Sequence, residues 1–354
     1  MENDMNFIKK IFKQRHDTSS VTQTPAPLAA PLPPSADLVT PYQRNPLLFP
    51  RNISHPVETN NQFFTRFCLW ADANDFNTAE FLLPQIQLKN ELEPFLFERE
   101  FAAQGKVGPT QQQIAHHAPW EYQVEWGDVS TMGVRRDNEW PFHRHRGSMF
   151  PPLAAKLAGV EKSALTVMDV ACHCGVIALE FARHGFRHVL GLDLRKKNID
   201  QANFLKSTFE IDNVDFKIEN ARNLKGYKAD VVFCGGLLYH VTFPVELLAD
   251  LFDATGKFLI FDSLCQKHPF SGFHIYGGRD VNNSLEGDNA IELVPTYRAI
   301  IDLLRAAGFV EIYEILGSAA EDVYIYRDRN IRSFLAVKPG VTLDMQDVQV
   351  ISPV

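Results

Sequence analysis

Beyond Phe150, short runs of β-branched and apolar residues alternate with stretches whose apolar positions recur every three or four residues, and turn residues punctuate the two. Uniform or alternating apolar runs predict strands, and the longer period predicts amphipathic helices. Strands are predicted over Leu165–Val170, His188–Asp193, Val214–Glu219, Ala229–Cys234 and Lys257–Asp262. Helices are predicted between them, over Val176–His184, Asn198–Glu210 and Pro244–Phe252. Strands this uniformly apolar are expected in a parallel sheet covered on both faces, and the alternation of strand and helix points to βαβ units. A helix over Thr296–Ala307, closed by Gly308, then precedes strands over Phe309–Leu316 and Ile331–Val337. Residues 151–340 therefore read as one α/β domain, followed by a tail over 341–354.

The pattern upstream is different. Residues 1–48 are rich in Pro, Thr, Ser and Ala, with Pro25, Pro27, Pro31, Pro33 and Pro34 crowded together, which predicts a disordered or linker segment. Within it, Met1–Lys13 has the composition of a short amphipathic helix or of a frayed terminus. Residues 49–118 carry Phe63, Phe64, Phe67, Trp70, Phe81, Phe95 and Phe97 among charged positions and read as a small, mainly helical region. Residues 119–150 form an aromatic and basic segment expected to pack on the main domain, with Trp120, Tyr122 and Trp126 more suited to core than to a ligand cage.

Composition narrows the function. Apolar residues make up 45% of the chain and charged residues 22%, enough to bury a substantial core. A formal charge of −8 gives no general attraction to phosphate backbones, so DNA is not expected as a partner and RNA would need a local basic patch. Five cysteines, at 68, 172, 174, 234 and 265, have no repeated metal-finger spacing, and no metal is expected. With no secretory signal and no apolar run near 18 residues, the expected compartment is a reduced cytoplasm.

The chemistry concentrates at strand ends. Val167-Met168-Asp169-Val170-Ala171-Cys172-His173-Cys174-Gly175 runs from a strand through a tight loop into a helix. A nucleoside with a zwitterionic tail needs small residues and a helix N-terminus at such a place. A dinucleotide fingerprint would need glycines at 171, 173 and 176, where Ala, His and Val stand, so nicotinamide and flavin cofactors are disfavoured. Ala171 substitutes for glycine if its φ is negative, whereas His173 belongs to a residue type enriched at positive φ. Asp193, 18 residues past Gly175, ends the second strand beside Leu194, where a carboxylate accepts both ribose hydroxyls. Glu219-Asn220-Ala221 ends the third strand, at a place that resembles the one where S-adenosylmethionine-dependent methyltransferases hold the adenine through a polar side chain and a backbone N–H. Gly235-Gly236-Leu237-Leu238-Tyr239-His240 ends the fourth, at the carboxyl edge where ligands of open α/β sheets lie.

In this order and spacing the four elements resemble those of class I S-adenosylmethionine-dependent methyltransferases. The resemblance implies a Rossmann-like, mostly parallel seven-stranded sheet with helices on both faces, and S-adenosyl-L-methionine as cofactor. The implied cofactor residues are Asp169, Ala171, His173, Gly175, Asp193, Leu194, Asn220, Ala221 and Gly235. Three further features, Leu237-Leu238-Tyr239-His240, then Pro244 with Leu247-Leu248, and Leu293-Val294-Pro295 opening the late helix, are similar to bacterial enzymes that transfer a carboxymethyl group to the wobble uridine of tRNA. This likeness covers about residues 120 to 315 and implies that Tyr239 contacts the cofactor.

Methyl transfer needs alignment more than acid–base help. Where the acceptor is a hydroxyl or amine, His240 is the base candidate, its other reading being a structural histidine. His143 and Arg144, followed by His145 and Arg146, with Trp140 and Phe142 beside them, are candidates for an anionic substrate group or form a solvated basic turn. Phe270–Asn283 resembles a mobile lid or substrate loop, in which Arg279 is the candidate to reach a ligand, its other reading being an ordinary surface arginine. The expected activity is methyl transfer to a hydroxyl or amine of a small-molecule substrate. Modification of tRNA, favoured if Arg135, Arg136, Arg144 and Arg146 align as a basic strip, is the alternative within that chemistry; a catalytically silent nucleoside-binding scaffold is the alternative outside it.

Overall fold

A computed structural model of the chain describes residues 83–88, 95–131, 140–266, 268, 270–277, 291–317, 323–327 and 329–351. They lie in a unit spanning Thr65–Val354. The linker expected over 1–48, residues 49–82 and 89–94 of the region expected over 49–118, and Arg135, Arg136 and Arg279 lie outside the described residues.

In chain order the elements are β1 (Gln85–Leu88), α1 (Leu96–Ala103), α2 (Gln111–His116), β2 (Glu125–Trp126), β3 (Val129–Ser130), α3 (Trp140–Ala158), β4 (Thr166–Val170), α4 (Val176–Arg183), β5 (His188–Asp193), α5 (Lys196–Phe209), β6 (Val214–Ile218) and β7 (Ala229–Gly235). There follow α6 (Pro244–Ala254), β8 (Thr255–Leu264), β9 (Phe273–Gly277), β10 (Ile291–Pro295), α7 (Tyr297–Ala307), β11 (Glu311–Gly317), α8 (Tyr324–Arg327), β12 (Ile331–Val337) and β13 (Gln349–Ile351). Local chemistry sets several boundaries. Pro244 opens α6, where its missing N–H costs nothing. Thr296 caps α7 by accepting the Ala299 N–H at 3.1 Å, and Gly308 at φ 117° closes it.

The main sheet runs β13-β1-β11-β12-β8-β7-β4-β5-β6. β4 pairs in parallel with β5 and β7, β5 with β6, and β7 with β8, while β12 is antiparallel to both β8 and β11. The seven strands expected from the sequence run consecutively from β11 to the edge strand β6, and among the described residues the sheet has nine. β1, within the region expected to be helical, pairs in parallel with β11, and β13, within the expected tail, pairs antiparallel with β1. The physical reason is the open edge of β11: its unpaired backbone groups are met by β1, whose Ile86 is fully buried. The chain order reverses between β4 and β7, so the crevice at their carboxyl ends is where this architecture binds ligands.

The core has two layers, one on each face of the sheet. Val231 and Phe233 of β7 face one way with Val167, Phe258, Ile260 and residues of α3, α4 and α5. Val232 and Cys234 face the other with Met168, Leu259, Phe261 and residues of α6 and α7. Phe95, Phe97 and Phe101, with Ile114, pack into the first layer beside Trp120, Tyr122 and Trp126. The described part of the region expected as a separate helical unit is therefore continuous with the domain's own core.

Candidate functional site

β4 delivers the loop Ala171–Gly175 to the crevice. Ala171, His173 and Gly175 have φ of 64°, 53° and 80°, so alternate residues are left-handed, with glycine at the last alone. Ala171 does not meet the condition of a negative φ under which alanine replaces glycine without strain; His173 has the positive φ its residue type tolerates. The loop is tied by Cys172 N–H to Leu192 O (2.9 Å), Gly175 N–H to Cys172 O (2.9 Å) and His173 N–H to Asp193 Oδ2 (3.0 Å). Each left-handed residue other than glycine costs about 1–2 kcal/mol, so these bonds hold a conformation the side chains oppose. Glycine is required at 175, where a Cβ would stand 2.6 Å from the Phe216 ring. The thiols of Cys172 and Cys174 are buried, and burial pushes both up. Among the described residues no group of three or more His, Cys, Asp or Glu is placed to hold a metal ion.

Two carboxylates flank the loop. Asp193 Oδ1 accepts from Arg195 N–H (2.8 Å) and Asn198 Nδ2 (3.0 Å), and its Oδ2 accepts from His173 N–H. These bonds leave one of its roughly four acceptor positions. Asp169 is buried at the amino end of α4, and desolvation, then the nearby Asp193 charge, push its carboxyl up to about 8. Its Oδ2 makes no hydrogen bond among the described residues. The open Asp169 oxygen suits a ligand bringing N–H donors or positive charge, and the helix N-terminus beside it suits a carboxylate; a sulfonium amino acid carries both.

Leu194, next along, is exposed. Asn220 Oδ1 accepts the Arg222 N–H at 2.9 Å, capping the 3-10 turn Ala221–Asn223, and the rest of its amide is left to offer a ligand. Beside it, hydrogen bonds from Tyr227, Asn223 and Lys217 hold the Glu219 carboxyl at about 2.

At the end of β7, Gly235 and Gly236 lead into the 3-10 turn Leu238–His240. Gly236, at φ 75°, donates its N–H to Asp262 O at 2.8 Å, and a Cβ there would lie 3.2 Å from the Arg146 guanidinium. Arg146 is anchored on Asp262 Oδ1, through Nε at 2.9 Å and Nη2 at 2.5 Å. Asp262 Oδ2 accepts from Tyr326 Oη and Ser333 Oγ, each at 2.9 Å. The expected basic turn is thus a buried stretch of α3. Arg144 pairs with Glu98 at 3.0 Å and lies over the Phe95 ring, and His143 packs 4.0 Å from the Tyr122 ring. Arg144 thereby neutralises a carboxylate of the fold. The reason is supply of acceptors: Glu98 and Asp262 lie inside, and each needs a cation.

The Tyr239 ring packs against that of His240, centroids 4.2 Å apart and planes tilted by 49°, and His240 Nδ1 is 3.2 Å from Glu292 Oε1. Glu292 comes from β10, which pairs antiparallel with β9. This hairpin corrects two expectations: Leu293-Val294-Pro295 is a strand, not the opening of the late helix, and the first part of the expected substrate loop is β9. Glu292, Asp262 and Glu98 were missed in the sequence. Asp262 alone carried a signal, as the last residue of a predicted strand at the ligand-binding edge.

Residues 161–270 match the methyltransferase domain family. The ubiquinone biosynthesis O-methyltransferase of Neisseria meningitidis serogroup C is 28% identical over 165 residues, covering 44% of this chain and 68% of that protein. The tRNA U34 carboxymethyltransferase of Pseudoalteromonas translucida is 28% identical over 265 residues, 70% of each chain. Among solved structures, the N-terminal domain of EvdMO1, crystallised in the presence of SAH and D-fucose, matches with 20% identity and a TM-score of 0.48, over 64% of this chain and 94% of that one. Residues 161–270 are thus a methyltransferase domain, and the strand order that carries the site is similar to that of the class I S-adenosylmethionine-dependent enzymes.

Proposed function

We propose that the enzyme transfers a methyl group to a hydroxyl or amine of a small-molecule acceptor, with His240 as the proton-accepting residue. In this reading Asp169, Ala171, His173 and Gly175 border the amino-acid part of the cofactor. Asp193 and Leu194 border its ribose, Asn220 and Ala221 its adenine, and Gly235 and Tyr239 the end that carries the methyl. When bound, the cofactor supplies a methyl on a sulfonium whose sulfur departs with the C–S electron pair. The chain's part is to bind, exclude water and align the acceptor.

The observation that carries the small-molecule reading is the burial of Arg144 and Arg146, each ion-paired with a buried carboxylate. A strip of arginines tracking an RNA backbone needs free surface cations. The described arginines of the run are inside and neutralised, and the whole chain is acidic.

Calorimetric titration with S-adenosylmethionine and S-adenosylhomocysteine tests the cofactor site. Saturable binding is expected, weakened about tenfold or more in Asp193→Ala, a loss of roughly 1.4 kcal/mol or greater. Incubation with methyl-labelled cofactor and either a small-metabolite extract or bulk tRNA tests the acceptor. Label in the metabolite fraction is expected, and label in the tRNA alone overturns the reading.

A further inference from the structure

Asp169, near the carboxyl end of β4, and Asp193, at that of the neighbouring parallel strand β5, face one crevice from unlike surroundings. Asp193 accepts from three N–H groups, which support its charge. Asp169 is buried, and its Oδ2 has no hydrogen-bond partner among the described residues. The groups that face it give little in return. From α4 the Ala178 N–H reaches the carboxyl, and from α3 the Arg146 charge favours its ionisation, but that guanidinium is bonded to Asp262. Cys172 of the loop, Cys234 of β7 and Tyr122 also lie near, and burial pushes all three up, so none of them brings a charge.

Two carboxyl groups in one water-poor crevice do not both ionise readily, and the one with fewer donors keeps the proton. We propose that Asp169 is protonated in the ligand-free protein and releases that proton when the α-ammonium group of an amino-acid ligand, here the amino-acid part of S-adenosylmethionine, docks against Oδ2. The inference rests on the cofactor site of the reading above and adds a proton to its binding equilibrium. The O–H bond of the carboxyl breaks, its electron pair stays on oxygen, the proton leaves to solvent, and the carboxylate accepts an N–H from the ammonium. Burial, then the Asp193 charge, push Asp169 up to about 8. Below that value binding must expel the proton, so affinity falls as pH falls. Above it the ligand's own amino group, with an ordinary value of about 7.7–8.0, loses its charge and affinity falls again. A ligand without the amino group exchanges no proton at Asp169.

Calorimetry on the full chain near pH 7, in phosphate and in Tris, reads the protons exchanged from the different ionisation heats of the two buffers. S-adenosylhomocysteine is expected to release close to one proton. The probe 5′-methylthioadenosine, which keeps the nucleoside and the sulfur but lacks the amino acid, is expected to release none. Affinity for the first should weaken about tenfold or more from pH 7.5 to pH 6, and affinity for the second should stay constant. In Asp169→Asn the release and the pH dependence should vanish while 5′-methylthioadenosine still binds, which shows that the fold is kept. His173 shares the loop, so release that persists in Asp169→Asn assigns the proton elsewhere and overturns the proposal, as does wild-type binding without release. Carbon-13 NMR of protein labelled at the aspartate carboxyls gives a second reading that does not depend on the variant's affinity. One aspartate, absent from the Asp169→Asn spectrum, should titrate near pH 8 without ligand and stay ionised below pH 6 when saturated with S-adenosylhomocysteine. No aspartate titrating above pH 6 in the ligand-free protein overturns the proposal. Failure of the wild type to bind either nucleoside would count against the cofactor site itself and is separable from all of these.

Discussion

Ala171 and His173 hold left-handed backbone where the related fingerprint has glycines, so the loop keeps its shape and gives up its ease. Restoring glycine at 171 removes a penalty of about 1–2 kcal/mol and adds a glycine entropy cost of about 0.5–1 kcal/mol. Ala171→Gly is accordingly expected to raise unfolding stability by about 1 kcal/mol in urea denaturation, with S-adenosylhomocysteine affinity little changed. A loss of stability would mean that the methyl group packs usefully. At this scale the sequence was informative wherever the signal was local: Asp169, Asp193 and Gly235 sit at strand ends that their own neighbours define. Glu98, Asp262 and Glu292 were silent because their partners are distant. Arg144 and Glu98 are 46 residues apart and Arg146 and Asp262 are 116 apart, separations over which no motif spacing is kept.

Among elements, the inner strands were legible to within a residue or two because burial on both faces leaves dense apolar runs, as in His188–Asp193 and Ile331–Val337. β1, β10 and β13 were not. They are five residues or fewer, and Gln-Ile-Gln-Leu or Gln-Val-Ile carries little signal outside its pairing. Helix α3 was also hidden, since Arg, His and Pro dominate a segment that the fold nevertheless buries. Its packing against the loop before α1 is close: a Cβ on Gly147 would fall 2.1 Å from the Phe95 ring. In an exposed helix interior, replacing glycine by alanine gains about 1 kcal/mol. Here Gly147→Ala is expected to cost about 1–3 kcal/mol through overpacking, a reversal of sign that urea denaturation can read.

Across the whole molecule, buried titratable groups set a stability plateau. Desolvation pushes Glu180, which caps α1 by accepting the Leu96 and Phe97 N–H groups, and Asp169 up to about 8. Both bind protons more tightly folded than unfolded, so their contribution is complete below the unfolded value of ~4 and is lost as pH rises through about 8. Desolvation holds His145 at about 3 and His184 at about 4, so their contribution is complete above ~6.5 and is lost as pH falls through those values. Stability of the ligand-free protein is expected to be flat between about pH 4.5 and 6.5 and to fall on either side. Glu180→Gln should flatten the alkaline fall, and a fall of unchanged steepness would assign it elsewhere. The outer strands bear on how the chain is made. Gln85 pairs with Glu314, 229 residues later, and through β1 the sheet also binds Gln349–Ile351. During synthesis β1 must therefore wait, bonded only to water, until residues 311–317 and then 349–351 have emerged. Ribosome-bound intermediates should carry it as a sticky, protease-accessible segment, a natural handle for a chaperone.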